Sequence, residues 1–240
     1  MRKLGDLSLT SGRPLVAVSF TDADGRDEVA EARHAGVAIA ELRIDLFARL
    51  TPDYVVRQAE RLAGLPMLAT IRLASEGGAW SGDEAARITL FRAVLPHVDG
   101  IDIELQSSDA IAALQPAIRE AGKLLVISHH DLRSTPPYDV LAAICVRAAE
   151  AGADIIKIAA MVHSEQDIAS LARLLVELPA RNLVVIGMGE KGLATRIAFP
   201  AKGSLFTFAA KGDRVSAPGQ IAYPEMLRRL SVSEVSGKTS

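Results

Sequence analysis

Eight short apolar runs, each the length of a strand and rich in β-branched residues, recur along the chain. They are L-V-A-V-S-F (15–20), I-A-E-L-R-I (39–44), M-L-A-T-I-R (67–72), G-I-D-I-E-L (100–105), L-L-V-I-S-H (124–129), D-I-I-K-I-A (154–159), L-V-V-I-G-M (183–188) and S-L-F-T-F-A (204–209). Between them lie helical patterns such as D-E-V-A-E-A-R-H-A-G-V and D-V-L-A-A-I-C-V-R-A-A-E-A-G-A-D, several ending on an Ala-Gly pair suited to a left-handed helix cap. Each intervening segment is long enough for one crossover helix. Eight such units imply a closed parallel barrel. A doubly wound sheet would show fewer units and a phosphate-binding glycine loop after its first strand, and neither G-x-G-x-x-G nor G-x-x-x-x-G-K-[ST] occurs. The expected fold is therefore a (β/α)8 TIM barrel, which typically needs about 250 residues, close to the 240 present. One domain over 1–240 is expected, with 1–14 as an N-terminal extension. The stretch 231–240, S-V-S-E-V-S-G-K-T-S, has no packing period and reads as a loose tail.

Hydrophobic residues make up 49% of the chain but aromatics only 4%, so Val, Leu, Ile and Ala must fill the core. The net charge of −2 offers no general attraction to nucleic acid or to an anionic membrane, which leaves a small molecule as the expected partner. No stretch approaches the roughly 18 apolar residues of a membrane span, and the N-terminus M-R-K-L-G-D-L-S-L-T-S-G-R-P lacks the apolar centre of a signal peptide. Cys145 is the only cysteine, so one chain can form neither a disulfide nor a cysteine metal cluster, and a reducing, cytoplasmic setting is expected. No H-x-x-x-H or C-x-x-C spacing suggests a metal.

A barrel of this kind carries its active site at the C-terminal ends of its strands. Charged residues collect there: Glu41, Arg43 and Asp45 around the second run, Arg72 at the third, Asp102 and Glu104 at the fourth, His129, His130 and Asp131 at the fifth, and Lys157 in the sixth. Folding alone does not require so many charges in buried strands. Glu41, Arg43 and Asp45 alternate at period two and share one face, opposite Leu42 and Ile44. They form either an interior ion-pair network or part of a site. Asp102 and Glu104 repeat the spacing and suit either acid–base work or service as counter-ions to Arg43 and Arg72.

Lys157 lies between Ile156 and Ile158, so if these face the helix layer the lysine points inward. Burial disfavours an ammonium and so favours a nucleophilic amine, although a structural pairing with an interior carboxylate would explain the position too. Of the adjacent His129 and His130, opposite strand directions allow one at most to line the pocket, where it would serve as a proton carrier. Two glycine-bearing loops stand on the same face. R-L-A-S-E-G-G (72–78) carries Glu76, and V-S-A-P-G-Q-I (215–221) carries Ser216 and Gln220, as an ordinary loop or as a lid.

Together E-L-R-I-D (41–45), I-R-L-A-S-E-G-G (71–78), I-D-I-E-L (101–105), S-H-H-D (128–131), A-D-I-I-K-I-A (153–159), M-G-E-K-G-L-A-T-R (188–196) and S-A-P-G-Q-I (216–221) resemble type I 3-dehydroquinate dehydratase, from the first strand to the last. The resemblance implies a (β/α)8 barrel with an N-terminal hairpin across its bottom, a homodimer, and a place in the shikimate pathway to chorismate and the aromatic amino acids. By the same resemblance Lys157 is the imine-forming lysine, His130 the proton-transfer histidine and Glu76 the carboxylate that orients it. Arg196 is the clamp for the substrate carboxylate, Glu41, Arg43 and Arg72 contact the ring hydroxyls, Ser216 and Gln220 close the lid, and Ser19 is a further substrate contact. His129 stands where the family often has Asn, and Val162 where it often has Pro. His130 directly precedes Asp131 in the matching His-Asp pair.

The implied reaction dehydrates 3-dehydroquinate to 3-dehydroshikimate through a lysine imine. It calls for no metal or organic cofactor, since the iminium is the electron sink. The rival readings are an imine-forming aldolase or transaldolase, which would share Lys157 but favour a phosphate site after the last two strands, and a non-catalytic metabolite sensor.

Overall fold

The computed structural model describes residues 3–9, 14–178, 182–212 and 217–236. The eight apolar runs form eight parallel strands: β3 (Leu15–Phe20), β4 (Ile39–Arg43), β5 (Met67–Thr70), β6 (Gly100–Glu104), β7 (Leu124–Asp131), β8 (Ile155–Met161), β9 (Leu183–Met188) and β10 (Phe206–Ala209). They run in the order β10-β3-β4-β5-β6-β7-β8-β9, each beside its sequence neighbour, with β10 returning to pair with β3. The N–H of Leu205 donates to Leu183 O at 2.9 Å and links β10 to β9. Beside it, the Ser204 hydroxyl accepts the Val185 N–H at 3.0 Å, so a side chain supplies part of the ladder there and β10 starts two residues later than the run suggests.

The helices α1 (Arg26–Ala35), α2 (Pro52–Arg61), α3 (Glu84–Val94), α4 (Ser108–Glu120), α5 (Tyr138–Glu150), α6 (Glu165–Glu177), α7 (Leu193–Ala201) and α8 (Tyr223–Ser236) form the outer layer. Their ends follow local chemistry. Gly36 closes α1 at φ 110°, where a Cβ would be strained, and Ser164 opens α6 with a capping box completed by Asp167. The helix α8 runs to Ser236 and so takes in the first part of the expected loose tail 231–240. Met226 and Leu230 pin it to the core, and no Gly or Pro interrupts it before Gly237. Residues 237–240 lie outside the described residues.

Strand alternation divides the core in two. Val16, Val18, Leu42, Ile101, Ile103, Ile127, Ile156 and Ile158 face the helices in one apolar cluster. Leu15, Ala17, Ile39, Leu68, Leu124, Val126, Ile155, Val184 and Phe206 fill the barrel interior in another. The hairpin of β1 (Lys3–Leu4) and β2 (Leu7–Ser8) brings Leu4 and Leu9 into that interior cluster, as the resemblance implied. The closed end is thus apolar, and inward positions further along the strands are polar. No helix among the described residues is long and apolar enough to cross a membrane.

Candidate active site

Following the inward positions up the strands leads from the aliphatic plug to a charged layer. Register sets Ser19 beside Glu41, Thr70 beside Asp102, and Ser128 beside Lys157. Above this layer is a cavity of about 300 Å3. Glu41, Arg43, Arg72, Glu76, His130, Lys157, Arg196 and Gln220 all line it, as do Met161, Ile186, Met188 and Phe208. Charged groups occupy one part of the wall and apolar side chains the rest, as in many small-molecule sites.

Lys157 is 4% exposed. Its Nζ donates to Asp102 Oδ2 at 2.9 Å, stands 3.7 Å from Glu41 Oε1, and lies 4.3 Å from the centre of the Phe208 ring. The inward direction and the structural pairing are therefore both present. Glu41 is itself held by the Ser19 hydroxyl and by Thr70 Oγ1, the latter at 3.1 Å. Ser19 meets the site through Glu41 and is not part of the cavity wall.

Asp102 and Glu104 are counter-ions, and the cation they share is Arg72 rather than Arg43. Arg72 Nη1 donates to Glu104 Oε1 at 2.8 Å and to Ser128 Oγ at 2.7 Å, and Nη2 lies 2.9 Å from Asp102 Oδ1. Burial works against an ionised Asp102. Arg72 and then Lys157 outweigh it and hold the carboxyl far below its ordinary range. Arg43 pairs within its own segment, its Nε and Nη2 donating to the two oxygens of Asp45 at 3.0 and 2.8 Å. Asp45 also accepts the Ala79 N–H at 3.0 Å and so ties Arg43 to the loop after β5. Arg72 lies in that loop, two residues past the end of β5.

Glu76 sits on a short 3-10 turn, Ala74–Glu76, and is 7% exposed. Its Oε2 accepts the backbone N–H of His130 at 2.9 Å and lies 2.8 Å from the same residue's Nδ1. Burial pushes the Glu76 carboxyl up to about 7 despite Arg72 nearby. Burial, then Arg72 and Lys157, hold the His130 imidazole well below its ordinary value, so it is neutral near pH 7. An Oε2 already accepting the backbone N–H favours a ring hydrogen on Nδ1, leaving the Nε2 lone pair for the cavity. His129, on the opposite face of β7, does not line the cavity.

Arg196, near the start of α7, is 1% exposed. It donates to the carbonyls of Phe208 at 3.2 Å and Pro218 at 3.0 Å. No carboxylate pairs with it among the described residues, its Nε has no partner, and burial pulls its pKa down to about 10. A buried guanidinium without a counter-ion on the wall of a cavity is a site for an anion. The loop carrying Pro218 also brings Gln220 to the cavity, while Ser216 lies outside the described residues. The apolar wall escaped sequence reasoning. Its signal was the same alternation, since Ile186, Met188 and Phe208 occupy inward positions that read simply as core.

The fold and cavity define a (β/α)8-barrel enzyme with its ionisable groups gathered at the C-terminal ends of the strands. The sequence pattern of the Type I 3-dehydroquinase family matches residues 15–236. A 3-dehydroquinate dehydratase of Methanococcoides burtonii is 33% identical over 238 residues, covering 98% of this chain and 100% of that one. Among solved structures, the 3-dehydroquinate dehydratase of Geobacillus kaustophilus superposes with TM-score 0.84 at 30% identity, over 93% of this chain and 92% of that one. The Clostridium difficile type I 3-dehydroquinate dehydratase, solved with covalent modified comenic acid, superposes with TM-score 0.85 at 27% identity over 95% of each chain. The chain belongs to the Type I 3-dehydroquinase family.

Proposed function

We propose that this chain dehydrates 3-dehydroquinate to 3-dehydroshikimate through an imine on Lys157, with His130 as the proton carrier. The observation that carries the reading is one cavity lined by an inward lysine amine, an imidazole braced by a carboxylate, and a buried guanidinium with no carboxylate partner among the described residues. The covalent ligand of the Clostridium difficile relative is consistent with a nucleophile in such a pocket.

The substrate carboxylate pairs with Arg196, and its ring hydroxyls face Glu41, Arg43 and Arg72. Lys157 gives its ammonium proton to solvent and attacks the C3 ketone as the free amine. A proton from solvent goes to the new hydroxyl, which leaves as water and gives a protonated imine. The imine acidifies the C2 proton, which His130 removes. The resulting enamine expels the C1 hydroxyl as water, with His130 now the acid, and hydrolysis frees the product. Glu76 keeps the imidazole oriented throughout. Ser216 and Gln220 close the loop over the substrate, and Ser19 steadies Glu41. The chemistry calls for no metal or organic cofactor.

Family membership favours dehydration over the carbon–carbon cleavage of an imine-forming aldolase, and the presence of both Lys157 and His130 speaks against a binding-only sensor. The working unit is proposed as a cytoplasmic homodimer, in keeping with the family resemblance and the single cysteine. Borohydride added with 3-dehydroquinate should leave a stable mass adduct on Lys157, alongside the ultraviolet absorbance of the conjugated product. Lys157→Ala should form no adduct. His130→Ala should still form it yet turn over slower by about 10²-fold or more. Turnover by the wild type without a trappable adduct would overturn the mechanism, and absence of turnover would overturn the activity.

A further inference from the structure

One of the most deeply buried cations in the molecule has no part in the chemistry above. Arg87 lies on α3, on the helix side of the sheet, and is 0% exposed. A guanidinium is removed from water at a heavy cost unless it is paired and hydrogen-bonded. Its Nη1 donates to Glu104 Oε2 at 2.7 Å and to Ile71 O at 3.0 Å, its Nη2 donates to Ser107 Oγ at 2.8 Å, and its Nε lies 3.0 Å from Glu84 Oε2. Glu104, also 0% exposed, gives its other oxygen to Arg72 at 2.8 Å and to the Leu73 N–H at 3.0 Å. Arg72 stands 2.9 Å from Asp102 Oδ1, and Asp102 Oδ2 accepts from Lys157 at 2.9 Å. Five side chains thus alternate in charge, Arg87, Glu104, Arg72, Asp102 and Lys157, from an outer helix to the amine. With the carboxylates shut off from solvent, a charge lost at one end is felt along the row.

We propose that Arg87 and Glu104 are positioning residues that act through Arg72 and Asp102 to set how firmly Asp102 holds the Lys157 ammonium, and hence the pH at which that amine reacts. The inference rests on the imine reading of Lys157. The direction of the effect follows from the order of charges. Without the Arg87 charge, Glu104 keeps Arg72 as its main cation and draws it from Asp102. Asp102 then leans on Lys157, and the free amine appears at higher pH. With the charges of Arg87 and Glu104 both removed, Arg72 turns wholly to Asp102, Lys157 loses part of its counter-charge, and the free amine appears at lower pH. The depressed carboxyl of Asp102, where burial is outweighed first by Arg72 and next by Lys157, accords with a guanidinium that competes for it.

Other groups face the same pair: Glu41 from β4, the Ser128 hydroxyl and His130 from β7 with Glu76 behind it, the Phe208 ring from β10, and Arg196 across the cavity. None is altered in the variants that follow, so differences between variants report the row of charges.

The test is the pH profile of adduct formation with 3-dehydroquinate and cyanoborohydride, with thermal melting of each variant alongside. Arg87→Met should move the midpoint up by about half a pH unit or more. Arg87→Lys, which keeps the charge, should restore it even where melting shows a loss of stability. Arg87→Met combined with Glu104→Gln should move the midpoint below that of the wild type. Should Arg87→Met fail to fold, the double variant decides, because it leaves neither member of the outer pair charged. An unchanged or raised midpoint there would overturn the inference, as would folded single and double variants that shift together. A wild type that turns over without forming an adduct would overturn the imine reading and this inference with it. A wild type that traps normally, with unshifted variants, would overturn this inference alone.

Discussion

One oxygen of Glu76 receives both the backbone N–H of His130, at 2.9 Å, and its imidazole Nδ1, at 2.8 Å. Two bonds from one residue to one atom fix the ring plane as well as the ring position. They also clip the 3-10 turn after β5 onto the end of β7. The carboxylate that orients the imidazole is therefore part of what holds the rim of the barrel together, and its ionisation is coupled to folding.

That coupling has a definite sign. Burial raises the folded-state pKa of Glu76 to about 7 from an ordinary value of 4.5, so between these values the folded protein binds more protons than the unfolded chain. Stability from this group is fully present below pH 4.5 and is lost as pH rises through 7. Glu76→Gln is neutral throughout and escapes the loss. In urea unfolding, the variant should gain on the wild type between about pH 5 and pH 8, with a ceiling of ~3 kcal/mol at ~1.4 kcal/mol per pKa unit. The depressed imidazole of His130 acts with opposite sign below its ordinary value, but it is present in both proteins and to first order cancels in the comparison. A stability difference that is flat or shrinks with rising pH would show that Glu76 is ionised through the whole range.

Period-two alternation explains why so much of the site was legible in the sequence. Once Ile156 and Ile158 are assigned to the helix layer, Lys157 has one direction left, and the same holds for Glu41 and Arg43 against Leu42 and Ile44. Alternation says nothing about which charge meets which. Arg43 takes Asp45 from its own segment, while Asp102 and Glu104 share Arg72, because that choice depends on register between strands and on the path of the loop after β5. Arg87 was illegible for a different reason. An arginine on an amphipathic helix reads as solvent-facing, and only the packing of α3 over the end of β6 turns it inward. The reach of α8 to Ser236 depends likewise on tertiary contacts at Met226 and Leu230.

Arg196 carries a charge that nothing among the described residues neutralises, so a carboxylate ligand should stabilise the protein through it. Quinate has the carboxylate of 3-dehydroquinate and a hydroxyl in place of its ketone, and so cannot form an imine. At about 100 times its Kd it should add ~2.7 kcal/mol to the stability of the wild type, read as a rise in melting temperature. In Arg196→Met that rise should disappear, and kcat/KM should fall by about 30-fold or more, for the loss of a desolvated ion pair of ~2 kcal/mol or greater. An equal quinate shift in both proteins would place the carboxylate elsewhere in the cavity.

The loop that brings Gln220 to the cavity depends on a glycine. Gly219 adopts φ +77°, and a Cβ there would lie 2.3 Å from the Gly189 carbonyl oxygen, a backbone atom that cannot rotate aside. The close approach is stitched by the Gly189 N–H donating to Pro218 O at 3.3 Å, and the same Pro218 oxygen accepts from Arg196 at 3.0 Å. Gly219→Ala should therefore unseat the loop, remove Gln220 from the wall and free the inner guanidinium from one of its two carbonyl partners. Lys157 and His130 lie on other strands and keep their geometry. Accordingly kcat/KM should fall by about 10²-fold, the scale associated with misplaced positioning groups, while borohydride with saturating substrate should still label Lys157. Melting temperature should change little, because the loop lies at the open rim. Loss of labelling together with activity would mean that the loop takes part in forming the imine itself, and wild-type kinetics would mean that it does not close over the substrate.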